Sequence, residues 1–131
     1  MTIVGLGMDA TEVERIAQSL ARYGDRFLRR VFTEREIAYC MRRKHPAPHL
    51  AGRFAAKEAG MKAIGTGHAY GVLWRDLEVA RAGGPPQLLF HNAAATHFAR
   101  LGAQKALLTI THTDQLALAH VILVGEPDNS R

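Results

Sequence analysis

The chain has 131 residues, of which 47% are hydrophobic and 22% charged, with a formal net charge of +5. That length and balance predict one folded domain around a single core rather than a disordered or multidomain chain. The single Cys40 excludes an intrachain disulfide and a cysteine zinc site, which fits a reducing cytoplasm. No stretch approaches the ~18 consecutive apolar residues of a membrane span, and Met1-Thr2-Ile3-Val4-Gly5 lacks the basic region of a signal peptide. Surplus positive charge favours acidic partners: nucleic acid, phosphorylated small molecules or an acidic protein.

Ile3 to Met8 reads as a short buried strand interrupted by Gly5 and Gly7. Val13, Ile16, Leu20 and Tyr23 follow at helical spacing, and Gly24 stops that helix. A second helical stretch starts near Asp25 and carries Phe27, Leu28, Val31 and Phe32. Thr33 and Glu36 form a capping-box pattern for a third helix with Ile37, Cys40 and Met41 inward. Pro46 and Pro48 break it, and a fourth helix is expected from about His49 to Gly65. Gly65, Gly67 and Gly71 make a loop, and Trp74 to Arg81 reads as a strand. The turn signal Gly83-Gly84-Pro85-Pro86 returns the chain into a paired strand from Gln87 to Phe90. Asn92 can cap a helix carrying Phe98 and Leu101, ended by Gly102. Ala106 to Thr113 and Leu116 to Val124 read as strands joined at Asp114-Gln115. Residues 1–124 make the single domain, and 125–131 have the turn-type composition of a flexible tail. Helices come first and hairpin-like strands follow, which predicts an α+β fold with a largely antiparallel sheet and helices inserted after the first strand.

Four pieces can carry chemistry. On the fourth helix Glu58 lies about 40° from Phe54 and about 60° from Met61 around the wheel, so an acid shares the core-facing stripe. Such a carboxylate needs a partner: a cation, a metal, or water at a cleft. Lys62, one turn on, offers a plain i,i+4 ion pair as the simpler account. Gly5-Leu6-Gly7-Met8-Asp9 ends a strand with an acid that could hold a hard cation or merely help start the next helix. Thr109-Ile110-Thr111-His112-Thr113 puts hydroxyls and an imidazole at a hairpin tip, where they could meet phosphate oxygens or simply fill a strand. Arg15, Arg22, Arg26, Arg29 and Arg30 make the early helices basic, either as a solvated face or as a surface for an acidic partner. Gly65-Thr66-Gly67 is not a P-loop and the first motif is not a dinucleotide fingerprint.

Gly5-x-Gly7-x-Asp9 with Arg15, Arg53-Phe54-x-x-Lys57-Glu58-x-x-x-Lys62-Ala63-x-Gly65-Thr66-Gly67, Trp74-x-Asp76-x-Glu78 and Thr111-His112-Thr113, in that order and spacing, closely resemble the stand-alone 4′-phosphopantetheinyl transferases. The likeness runs from Ile3 to about Val124. It implies a phosphopantetheinyl-transferase-like α+β fold assembling as a trimer, with active sites between subunits. It also implies transfer of the 4′-phosphopantetheine arm of coenzyme A to a serine of apo-acyl carrier protein, for fatty acid biosynthesis. Carried over residue by residue, Asp9 and Glu58 would hold Mg2+, and with Lys62 form the catalytic group. Arg53, Lys62, Gly65, His112 and Thr113 would contact phosphates or nucleotide, and Arg15, Arg22 and Arg26 would receive the carrier protein. Thr109 replaces a frequent serine, and Gly60 within the helix should cost up to ~1 kcal/mol against alanine. The general base is open between Glu58 and a metal-bound water it organises. The resemblance implies no nucleic-acid or membrane partner. Two other readings remain: a non-catalytic basic nucleic-acid module, disfavoured because the 7% aromatics are not interleaved with the arginines, and a coenzyme A-binding protein without catalysis.

Overall fold

The computed structural model describes residues 1–126. Its elements run β1 (Thr2–Glu12), α1 (Val13–Tyr23), α2 (Asp25–Val31), α3 (Glu34–Met41), α4 (Pro46–Ala63), β2 (Leu77–Ala80), β3 (Gln87–Phe90), α5 (Asn92–Arg100), β4 (Ala103–His112) and β5 (Leu116–Gly125). A 3-10 turn over Trp74–Asp76 precedes β2. Strands β1, β5 and β4 form an antiparallel sheet with β5 in the middle, and β2 pairs antiparallel with β3. The α+β class with helices inserted after the first strand is therefore what the chain adopts.

Helix α4 is the axis of the molecule. Eleven of its residues are buried, from Leu50 to Ala63, so it packs on several sides at once. One side meets the sheet through Ala55, Ala59 and Ala63 against Val121 and Leu123. Another meets α1–α3 through Leu50 and Ala51 against Val13, Ile16, Leu28 and Phe32. Alanine at these positions lets the backbones approach, and two glycines complete the fit. A Cβ on Gly7 would stand 1.9 Å from the Ala59 carbonyl oxygen, and one on Gly5 would stand 2.3 Å from that of Ala63. This Gly-x-Gly thus lets β1 approach α4 closely. Gly60 answers to packing as well, since a Cβ there would meet Leu77 Cδ2 at 2.5 Å and Leu88 Cδ2 at 2.9 Å.

Several boundaries differ from the sequence reading, β4 among them, which runs Ala103–His112 rather than from Ala106 to Thr113. Strand β1 extends to Glu12, because ladder pairs from Ala10 to Glu12 with β5 outcompete an earlier helix start. Ile3, Leu6 and Met8 are 62%, 59% and 62% exposed, so the face expected in the core is the open face of the sheet. Helix α4 begins at Pro46, where a missing N–H costs nothing in the first turn. The stretch from Trp74 splits, because Asp76 accepts from the Leu73 amide and closes the 3-10 turn before the strand starts. Of the expected tail, Gly125 pairs with Thr2 at the end of β5 and the Glu126 amide donates to the Gly102 carbonyl, while 127–131 lie outside the described residues. The Thr33–Glu36 capping box forms as read.

Candidate active site

The carboxylate of Asp9 leaves β1 beside Ala119 of β5 and is held from two sides. Thr11 Oγ1 donates to its Oδ2 at 3.0 Å, and Lys62 Nζ donates to its Oδ1 at 3.1 Å and to the Met8 carbonyl at 2.9 Å. Asp9 therefore does not start α1, whose N-cap is Glu12. Lys62 reaches back to β1 rather than to Glu58, so it is the bridge between α4 and the first acid.

Glu58, one turn earlier on α4, has other partners. The Trp74 indole Nε1–H donates to its Oε1 at 3.1 Å, and His68 Nε2 lies 3.0 and 3.1 Å from its two oxygens. His68 and Trp74 pack edge to face with centroids 4.8 Å apart, which steadies both donors. The Glu58 side chain keeps 19% exposure, so an acid with oriented oxygens opens to solvent. The sequence alone assigns His68 no role and reads Trp74 as a strand residue. Only the fold of the Gly65–Gly71 loop brings them over α4.

Next to Trp74 a groove of about 490 Å3 runs between α1 and α2, lined by Arg15, Tyr23, Arg26, Phe27, Arg30 and Phe54 among others. Arg15 and Arg26 both face it, as the basic-face reading expects. Arg30 also reaches it, with its guanidinium 5.9 Å from the Trp74 ring centroid. Arg22 instead stacks on Tyr23 at 5.3 Å.

The remaining candidates gather on another flank of α4. Arg53 is five residues from Glu58, which turns it about 140° around the helix. It is 7% exposed, and its guanidinium sits 4.2 Å from the Tyr39 ring centroid. With His49 and His112 it lines a cavity of about 320 Å3 between α3, α4 and the end of β4. The two imidazoles pack edge to face with centroids 5.7 Å apart. Burial first, then His112, Arg43 and Arg53, pull the His49 imidazole below its ordinary value. The Thr113 hydroxyl caps the β4–β5 turn, accepting from the Gln115 and Leu116 amides at 3.2 and 3.1 Å. Gly65, at φ +80°, closes α4: its amide donates to Lys62, while the Thr66 and Gly67 amides donate to Met61. Those amides are committed to the helix end. The candidates thus form two half-sites, one around Asp9, Glu58 and Lys62 and the other around Arg53 and His112.

Lys57, inside the same motif, is fully buried. Its Nζ lies 2.7 Å from Glu36 Oε1 and donates to the carbonyls of Trp74, at 3.1 Å, and Leu77. Burial pulls its pKa down against the opposing pull of Glu36. Its place is in the scaffold beneath the site.

A family model of the 4′-phosphopantetheinyl transferase superfamily matches residues 5–121, and the chain belongs to that superfamily. Its relatives narrow the class. It is 53% identical over 122 residues to the holo-[acyl-carrier-protein] synthase of Solibacter usitatus, covering 92% of this chain and 98% of that one. The corresponding synthase of Koribacter versatilis is 52% identical with the same coverage. Among solved structures, the Neisseria meningitidis holo-[acyl-carrier-protein] synthase superposes with a TM-score of 0.85 at 29% identity, covering 94% and 99% of the two chains. The Bacillus anthracis synthase, solved in complex with coenzyme A (3′,5′-ADP), gives 0.78 at 34% identity, covering 96% and 100%.

Proposed function

We propose that this chain is a 4′-phosphopantetheinyl transferase that moves the phosphopantetheine arm of coenzyme A onto a serine of apo-acyl carrier protein, giving the holo form used in fatty acid biosynthesis. The carrying observation is the pair of oriented carboxylates, Asp9 tied by Lys62 and Glu58 tied by Trp74 and His68, opening beside a basic groove. In the reaction the serine oxygen attacks the β-phosphorus, the anhydride P–O bond breaks, and adenosine 3′,5′-bisphosphate leaves with the electron pair. Lys62 Nζ, 54% exposed, offsets negative charge on the pyrophosphate oxygens. The serine proton passes to Glu58 or to a water that Glu58 orders.

Asp9 and Glu58 fit a magnesium ion. Both present hard oxygen donors on oriented carboxylates, and neither is sealed against a buried cation as Glu36 is. Two acids suffice, because magnesium keeps water and phosphate oxygens as its other ligands. Held by Asp9 and Glu58, it would offset negative charge developing on the transferring phosphate. Arg15 and Arg26 receive the acidic face of the carrier protein along the α1–α2 groove, with Arg22 at its edge.

The enzyme works as a homotrimer with each active site between two chains. Supporting this, the two half-sites project from different flanks of α4, so one chain's Asp9 and Glu58 require a neighbour's Arg53 and His112. The open sheet face, with Ile3, Leu6, Met8 and Leu107 exposed, supplies an apolar surface for such contact. A cytoplasmic location accords with the single cysteine, Cys40, being free and buried, and no described helix is long and apolar enough to cross a membrane.

The test is direct: incubate the protein with coenzyme A, magnesium and apo-acyl carrier protein, and weigh the carrier by mass spectrometry. The expected result is a gain of one phosphopantetheine, dependent on magnesium. A carrier of unchanged mass overturns the reading.

A further inference from the structure

His68 is seated firmly for a side chain that is 47% exposed. Its loop is tied to the end of α4, because the Thr66 and Gly67 amides donate to the Met61 carbonyl at 3.2 and 3.3 Å. The Ala69 amide donates in turn to the Thr66 carbonyl at 3.1 Å, closing a tight turn around His68. On its other side the imidazole packs edge to face on the Trp74 indole. Nε2 stands 3.0 Å from Glu58 Oε1 and 3.1 Å from Oε2. A ring nitrogen between two anionic oxygens carries a hydrogen, and both the neutral and the charged ring can supply it.

The acceptor sites of Glu58 are nearly spent. A carboxylate offers about four lone-pair sites, two on each oxygen. A hydrogen shared almost equally by both oxygens occupies the inner pair, between them. The Trp74 Nε1–H, at 3.1 Å, takes the remaining site on Oε1. Among the described residues this leaves the outer site of Oε2 unclaimed. Asp9 is held differently: Thr11 donates to Oδ2 and Lys62 to Oδ1, one donor to each oxygen and none shared. The position from which a cation grips both oxygens at once is therefore filled at Glu58 and not at Asp9.

That asymmetry bears on the choice of cation. Calcium has a wide, flexible shell and readily takes a carboxylate through both oxygens, whereas magnesium is smaller and holds closely to octahedral geometry. We propose that His68 is a metal-selectivity residue: its Nε2–H fills the two-oxygen grip of Glu58, so the acid offers a cation Oε2 alone and discriminates against calcium, which must first displace the imidazole. This rests on Asp9 and Glu58 holding magnesium, as proposed above. His68 acts through Glu58, so it is a positioning residue. Displacing it breaks a hydrogen bond to a charged acceptor, and a cation content with one oxygen leaves that bond intact.

Trp74 is the single tryptophan of the chain, so its emission reports events at Glu58 directly. The experiment titrates the intact protein with Mg2+ and with Ca2+, coenzyme A present, and reads Trp74 fluorescence. Equilibrium dialysis with radiolabelled calcium and Mg2+ as competitor gives the same affinity ratio without the fluorophore. His68→Leu fills space but donates nothing, and it should shift the ratio toward Ca2+ roughly tenfold or more, the worth of one hydrogen bond to a charged group. His68→Gln keeps a donor N–H and should retain most of the wild-type ratio. Because the two cations carry equal charge, the ratio cancels any general effect of the imidazole's charge or of loosened packing. His68→Ala serves as a second donor-free variant, and a thermal melt establishes that each is folded. A ratio unchanged in the folded donor-free variants, or changed as much by His68→Gln as by His68→Leu, overturns the role of the Nε2–H. If neither cation binds the wild type, the metal reading falls with it. If Mg2+ binds and the ratio ignores His68, this inference alone falls.

Discussion

Lys57 and Glu58 are consecutive residues of one helix with opposite environments. Lys57 has no exposure and is enclosed by Glu36 and two backbone carbonyls, whereas Glu58 opens to solvent between an indole and an imidazole. Trp74 joins them, since its carbonyl accepts from Lys57 while its ring N–H donates to Glu58. The buried ion pair thus fixes the backbone from which the exposed acid is oriented. Neighbouring positions in one motif can serve structure and chemistry separately, and the next four experiments probe that division.

The largest effect is expected at Lys57. Lys57→Met leaves the fully buried Glu36 without a counter-charge, a loss of about 3–5 kcal/mol. Chemical denaturation measures it, and the double variant with Glu36→Gln should recover part of the loss. A single-variant cost under about 1 kcal/mol would show that Glu36 finds other compensation.

Glu58→Gln inverts the pattern. The amide keeps an acceptor for Trp74, so stability should hold within about 1 kcal/mol. Carrier modification should meanwhile fall roughly a hundredfold or more. Asp9→Ala should behave alike, and wild-type rates from either variant would remove the metal assignment.

Gly60→Ala tests packing against propensity. Helix propensity alone predicts a gain of about 1 kcal/mol, whereas a Cβ forced against Leu77 and Leu88 predicts a loss of about 1–3 kcal/mol. We expect the loss, and a thermal melt gives its sign.

The smallest effect lies at the rim of the groove. Arg15→Glu should raise the KM for carrier protein roughly tenfold at low salt and much less at high salt. The KM for coenzyme A should stay put; movement there instead would relocate the docking surface.

Much of the candidate site was legible because its residues sit in short, dense motifs. Asp9, Glu58 and Lys62 stood out as charges among apolar and glycine neighbours. The basic character of α1 and α2 was visible too, although it grouped Arg22 with Arg15 and Arg26, and the structure turns Arg22 onto Tyr23. His68 and His49 carried no signal, since each acquires its partners from another element of the fold. The bound state of Lys62 was misread for the same reason: its nearest acid in sequence is Glu58, but its nearest acid in space is Asp9.

Although Asn92 caps no helix and donates instead to Asp76, with His91 at the N-cap of α5, local chemistry in the chain alone determined the Thr33–Glu36 capping box, the turns and the α+β class. Those features depend on neighbours within a few residues, where spacing and propensity act. Tertiary structure decided that Gly5, Gly7 and Gly60 serve helix packing, that Lys57 is buried while Glu58 is open, and that the phosphate-type residues gather on another flank of α4. Each depends on which surfaces meet across long stretches of chain, and steric fit and desolvation settle that only once the core has closed.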